Sequence, residues 1–338
     1  MKRLLFVETL AIALAFVIAA CGGAPAAAPQ GGTAAPAPAS KPNTLTAVKV
    51  DATTLDAAAP YWAQAPKLDV STITALPGKP GGPAVSIQAA YDDKYLVIRS
   101  EWPDATNTLT RNTWTWDGTK FTRAGQEDFI SFIWPIGNNA TFASKGCAAT
   151  CHNTSPDQAK WWMGSDGADV RYDGWFWMSA RTNPVGYTND IGWSILSDPT
   201  DMGSPRVADA VDSGGFVDNT DGATENPSPK FMSSKDLKSL LLLDADKVAF
   251  DKTKLAAGDT VPGFVLAKAV GSLGDIEANG VWANGKWVVV QRRMLNTTHP
   301  DDAVLIPSKP TPFGLAVADA AGDADHKISQ EVLTLEWK

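Results

Sequence analysis

From residue 85 to 100 the chain alternates. Val85, Ile87 and Ala89 occupy every second position, Tyr91-Asp92-Asp93-Lys94-Tyr95 breaks the pattern, and Leu96 to Ser100 resumes it. Period-two alternation on both sides of a polar break predicts a hairpin of half-buried strands. Trp114-Thr115-Trp116, then Asp117-Gly118, then Phe121 predicts a second. Phe129 to Ile133 is a short apolar run that predicts a buried strand. Val281 to Val290 is the clearest hairpin, because Asn284-Gly285 favours a type I′ turn, in which both central residues take positive φ. That turn sets Ala283 opposite Lys286 and Trp282 opposite Trp287, an aromatic pair that fixes register. Near the C-terminus Leu333, Leu335 and Trp337 share one face.

Helical patterning is sparse. Asp236 to Leu243 and Ser155 to Trp162 are the segments predicted as short helices. Ser197 to Pro229, dense in Asp, Gly, Asn and Pro, predicts a long surface insertion. Within it Asp218-Asn219-Thr220-Asp221-Gly222 reads as a solvated loop, since it lacks the glutamate that closes an EF-hand calcium loop. The expected class is all-β: an antiparallel β-sandwich with loop insertions and a few short helices.

The N-terminus has a different pattern. Lys2 and Arg3 precede an apolar run from Leu4 to Ala20, broken only by Glu8 and Thr9, which reads as an export signal. Val17-Ile18-Ala19-Ala20-Cys21-Gly22 is similar to a bacterial lipoprotein box, in which cleavage leaves Cys21 to carry lipid. An ordinary secretory signal or an uncleaved anchor is the alternative. Gly23 to Pro42, rich in Ala, Pro and Gly, cannot bury enough apolar surface to offset its ordering entropy and reads as a tether. The expected organisation is a signal peptide at 1–20, a lipidated cysteine and tether at 21–45, and one domain at 46–338. No later segment has the apolar length of a spanning helix. The expected location is therefore the extracytoplasmic or periplasmic face, lipid-anchored to the membrane.

With 44% hydrophobic and 20% charged residues the domain is globular, and a net charge of −8 excludes nucleic acid as a partner, which would need clustered Lys and Arg. An acidic face steers basic partners, or simply keeps an exported protein soluble. No Gly-rich phosphate loop opens a helix and no Gly-x-Ser-x-Gly elbow occurs.

Gly146-Cys147-Ala148-Ala149-Thr150-Cys151-His152 carries the chemistry. Two cysteines followed at once by histidine is the arrangement that attaches a c-type haem: each thiol adds to a vinyl group and the imidazole reaches the iron. Three residues separate these cysteines where two are usual. A Cys147–Cys151 disulfide is one alternative reading. A zinc site is another, with only His299 and His326 left as distant histidine ligands. Haem c is attached outside the cytoplasm, which agrees with the export signal. Trp161, Trp162, Trp175, Trp177 and Trp193 follow the motif closely, and indoles suit the enclosure of a macrocycle; a Trp-rich core is the competing explanation.

Further segments carry a family resemblance. They are Tyr61-Trp62-Ala63-Gln64-Ala65-Pro66, Glu101-Trp102-Pro103-Asp104, Glu127-Asp128, Trp175-Phe176-Trp177, Ala180-Arg181-Thr182-Asn183-Pro184-Val185-Gly186-Tyr187, Gly280 to Trp287, and Pro312-Phe313-Gly314-Leu315-Ala316-Val317. From about Thr46 to Trp337 the chain resembles the haem-binding domain of ethylbenzene dehydrogenase-type γ subunits. The resemblance implies a β-sandwich holding one haem and relaying electrons for molybdenum enzymes related to dimethyl sulfoxide reductase; some members are lone exported proteins. In the family a non-covalent b haem lies between a methionine and a lysine, which Met163 and Lys327 resemble here. With His152 on one face of a covalent haem, Lys327 or Met163 is expected on the other, and Met178 and His326 are lesser candidates. Arg181 would meet a haem propionate, or else a structural carboxylate. The expected function is that of a monohaem c-type cytochrome lipoprotein passing electrons to or from a redox partner protein or oxidoreductase complex. The alternatives are a haem enzyme or gas sensor with an open iron site, and a haem-free solute- or glycan-binding sandwich.

Overall fold

Asn284 and Gly285 turn with φ of 54° and 72°, and the strands they join pair with Trp282 opposite Trp287 and Ala283 opposite Lys286. The computed structural model to which this hairpin belongs describes residues 41–74, 80–137, 139–146, 171–193, 206–320 and 326–338.

Ten strands make its frame. They are β1 (Thr44–Lys49), β2 (Val85–Tyr91), β3 (Tyr95–Pro103), β4 (Phe129–Ile136), β5 (Arg171–Met178), β6 (Tyr187–Trp193), β7 (Ile276–Ala283), β8 (Lys286–Met294), β9 (Thr311–Ala318) and β10 (Leu333–Trp337). Their order is β1-β2-β3-β8-β7-β6-β5-β4-β9-β10, and β10 pairs with β1, so the ring closes. The expected all-β class holds. The two layers of the expected sandwich are joined at both edges, by β6 with β7 and by β9 with β10. Closure leaves no frame strand with an unpaired edge. Pairing is antiparallel except at β1, which runs parallel to both neighbours.

The interior is filled by alternate residues of facing strands. Ile87 and Ala89 from β2, Ile98 and Trp102 from β3, Trp175 and Trp177 from β5, Trp287 and Val289 from β8, and Leu333 and Leu335 from β10 share one apolar core. The hairpin at 113–124 forms as expected, with Trp116 opposite Phe121.

Two expectations are corrected. Asp236 to Leu243 is not helical: Leu242–Leu243 is a strand parallel to Phe264–Val270. Ser239 holds a local turn, its hydroxyl donating to Leu241 O at 2.7 Å, the competition with helical hydrogen bonding that disfavours serine inside helices. Nor is Ser197 to Pro229 only a surface insertion. Arg206–Ala208 pairs with β6, and Ser213–Asp218 pairs with Phe264–Val270. Asn219, expected in a solvated loop, is fully buried. Its amide donates to Phe231 O and Pro262 O at 3.0 and 2.8 Å, and its side-chain oxygen accepts from Lys230 N and Phe231 N. Residues 197–205 and the expected helix at Ser155 to Trp162 lie outside the described residues. Among the described residues no helix is long and apolar enough to cross a membrane.

Candidate functional site

Side chains alternate across β4, β5, β6 and β9, so their outward positions form a face separate from the barrel interior. Phe129, Phe176, Met178, Ile191 and Ala318 make one apolar cluster on this face, and Ile133, Phe142, Tyr172 and Ile328 make another. Between them lie small residues in register: Ser131 opposite Ala316, and Gly174 opposite Ile133 and Ile191. Gly174 is small by necessity, because a Cβ there would stand 2.2 Å from the Trp193 ring. The result is a low apolar floor bordered by aromatic rings.

Helix α1 (Ala140–Lys145) closes one end of this floor. Asn139 caps it by accepting from Phe142 N at 2.8 Å, and the Asn139 amide reaches the Tyr172 hydroxyl at 3.1 Å. Phe142 is fully buried with its ring 5.5 Å from that of Tyr172. The helix ends at Gly146, whose φ of 63° places it against Val332, where a Cβ would come within 3.0 Å of that side chain. Cys147 is the next residue. The Cys147–His152 sequence thus starts from this edge of the floor. Cys147, Cys151, His152 and Met163 lie outside the described residues, as does Cys21.

The remaining candidates separate into two groups. His326 is nearly buried with its ring 6.1 Å from that of Phe129, so it borders the floor, and Met178 is part of the floor. Lys327 is on the other face of its short strand, Lys327–Ser329. It pairs with Val317, which points into the barrel, whereas its neighbour Ile328 pairs with the outward-facing Ala316. Its stem lies over Gly82, where a Cβ would approach Lys327 Cγ to 2.4 Å.

Trp175 and Trp177 are fully buried inside the barrel. Trp177 packs against Trp102 and Trp287 with centroids 6.2 and 5.0 Å apart, and Trp175 against Trp134 at 5.3 Å. Arg181 pairs with Glu127 at 2.5 Å and lies over the rings of Phe216 and Phe264. Glu127 also accepts from the backbone of Ala180 and Arg181; burial raises its pKa, and Arg181 opposes that rise.

Several of the segments quoted above therefore converge in one structural node. Thr182 Oγ1 accepts from Met178 N at 2.9 Å. Asn183 accepts from Gly280 N at 2.8 Å and from Trp177 Nε1 at 3.3 Å. Asp128 accepts from Trp287 Nε1 at 3.0 Å. Gly280 cannot be larger, since a Cβ would meet the Trp177 ring at 2.3 Å. This node locks β5 to β7 and β8 from within.

Residues 59–329 match the family model described as ethylbenzene dehydrogenase. The chain belongs to that family. No curated protein matches it. Among solved structures it is similar to a family 9 carbohydrate-binding module from Caldicellulosiruptor kristjanssonii in complex with glucose, at 9% identity and TM-score 0.37, covering 87% of this chain and 95% of that one. A protein from Bacteroides uniformis described as carbohydrate-binding is similar at 11% identity and TM-score 0.38, covering 87% of this chain and 99% of that one. Likeness at this level does not extend to ligand chemistry.

Proposed function

We propose that this member of the ethylbenzene dehydrogenase family is a monohaem c-type cytochrome that transfers electrons outside the cytoplasm, held to the membrane by lipid on Cys21. The observation that carries the reading is the Cys147-Ala148-Ala149-Thr150-Cys151-His152 sequence issuing from Gly146, at the edge of a low apolar floor. A flat macrocycle would suit that floor: it is apolar, aromatic rings border it, and the His326 imidazole and the Met178 thioether lie beside and within it. Cys147 and Cys151 would hold the group, and His152 would ligate from one side. His326 and Met178 are placed better than Lys327 for the other side, because Lys327 faces away from the floor; Met163 remains a candidate from the sequence. When bound, the haem supplies reversible one-electron exchange, with its potential set by the axial ligands and by burial. Apolar walls would keep water away from such a centre, and a second protein ligand besides His152 would favour electron exchange over substrate binding. A redox protein or oxidoreductase complex is the partner this reading requires.

The test is the mature chain made in a host that attaches haem c. Its intact mass should exceed that of the polypeptide by roughly 616 Da for the haem, plus the lipid increment. Its spectrum should be that of a low-spin six-coordinate iron that reduces reversibly. His152→Ala should lose that spectrum, and Lys327→Gln should keep it. A colourless chain with a Cys147–Cys151 disulfide would instead make it a haem-free binding module.

A further inference from the structure

Asp190 on β6 is fully buried, and among the described residues neither of its carboxylate oxygens has a hydrogen-bond partner. A ligand-capable oxygen of Asp190 and those of Asp209 and Asp302, both also buried, all lie within 4.8 Å of one another. Three separate segments supply them: the middle of β6, the residue after the Arg206–Ala208 strand, and the loop that follows β8. Asp302 also belongs to a second group of the same span with Asp275 and His299, whose side chains are 15% and 37% exposed, so the cluster opens to solvent on that side.

The charges do not balance. Asp173 Oδ2 accepts from Arg293 and from Ala303 N at 2.8 Å, while its buried Oδ1 has no partner among the described residues. Arg293 reaches Asp302 only at 3.8 Å and spends its other bond on Ala303 O at 2.6 Å. Asp302 accepts from Thr297, and Asp209 accepts from Ser272 at 3.3 Å. Among the described residues one guanidinium, that of Arg293, reaches this group: it pairs with Asp173, approaches Asp302 and acts on Asp190, and His299 Nδ1 lies 3.5 Å from Asp302. Buried carboxylates are stable when paired, protonated or bound to a metal, and pairing is used up here.

We propose that Asp190, Asp209 and Asp302 bind a calcium ion at this end of the barrel. The donors are hard oxygens, which select alkaline-earth cations over softer metals. They come from three unrelated segments, an arrangement that suits calcium's adaptable coordination better than magnesium's strict octahedron. Zinc would be drawn instead to His299 in the outer group. The ion would tie the loop after β8 and the segment after Arg206–Ala208 to the barrel wall. The site is independent of the haem reading.

The experiment uses the mature chain, stripped with chelator and titrated with calcium chloride by calorimetry, with the thermal midpoint followed in parallel. One calcium per chain is expected, with a midpoint rise of about 3 °C at ten times the dissociation constant. Asp190→Asn should lose both responses. Asp104→Asn, in a separate acidic group, should retain both. Asp209→Asn repeats the test should Asp190→Asn fail to fold, and the stoichiometry of the unaltered chain stands without either variant. No heat and no shift up to roughly 10 mM calcium, beyond the affinity range of extracellular calcium modules, would overturn the proposal. So would an undiminished response in Asp190→Asn, or a shift produced by zinc and not by calcium.

Discussion

Strands β5 and β8 each run the length of the barrel interior and carry different chemistry at their two ends. At one end Trp177 and Trp287 stand with Trp102, their centroids 5.0 to 6.4 Å apart. At the other end the same strands present Asp173 and Arg293, joined by Asp190 and Asp302. The aromatic end is held by non-directional packing, which depends little on pH or ions. The acidic end is stable only while its charges are compensated. Burial works against the charge on Arg293, yet Asp173, Asp190 and Asp302 outweigh it and hold the guanidinium protonated. Burial pushes Asp209 up to about 8, with Asp301 and Asp302 adding to the rise. One closed fold therefore contains a region held mainly by ring packing and a region conditional on the compensation of buried charge.

The acidic end depends most on Arg293. Arg293→Met should cost about 5 kcal/mol, because it leaves buried Asp173 without its guanidinium partner. Chemical denaturation reads the loss, and added calcium should recover part of it. Trp177→Ala should cost about 4 kcal/mol through lost burial and a cavity. That loss should be the same with and without calcium; calcium dependence would show that the two ends are coupled. Glu127→Gln should cost about 2 kcal/mol, since Arg181 would be left largely buried without its anion.

The smallest effect expected is a gain. Asp104 sits near Asp128 and Asp319, and its carboxyl is pushed up to about 6, first by burial and then by those charges. Between the unfolded value of 3.8 and about 6 the folded chain holds a proton that the unfolded chain has released. Stability therefore falls as pH rises through that window, and the full cost stands above it. Asp104→Asn should stabilise by about 1 kcal/mol at pH 7 and by little at pH 4. Melting curves at the two pH values check it; an equal gain at both would mean that charge is not the cause.

Strand hairpins were legible where their determinants are local. Asn284-Gly285 dictates its turn, and alternation carries the register outward to Trp282 and Trp287. The Leu240 to Leu243 run was not, because a short apolar segment suits either helix or strand until a partner such as Val265 is present. The sequence also showed tryptophans close behind the cysteine motif, but not the face of the sheet they occupy. Trp175 and Trp177 point into the barrel, while Trp193 lies over Gly174 outside it. Arg181 carried a visible guanidinium, but its partner Glu127 is 54 positions away. Lys327 and His326 are adjacent in the chain, yet a strand sends neighbouring side chains to opposite faces.

By itself the sequence determined the all-β class, the local registers and the Cys147-to-His152 spacing, since each depends on residues a few bonds apart and on fixed backbone geometry. Tertiary structure alone decided the closure of β10 onto β1, the floor outside β4, β5, β6 and β9, and the meeting of Asp190, Asp209 and Asp302. Those join segments distant along the chain. Their proximity follows from how the apolar interior is buried as a whole, which no short stretch encodes.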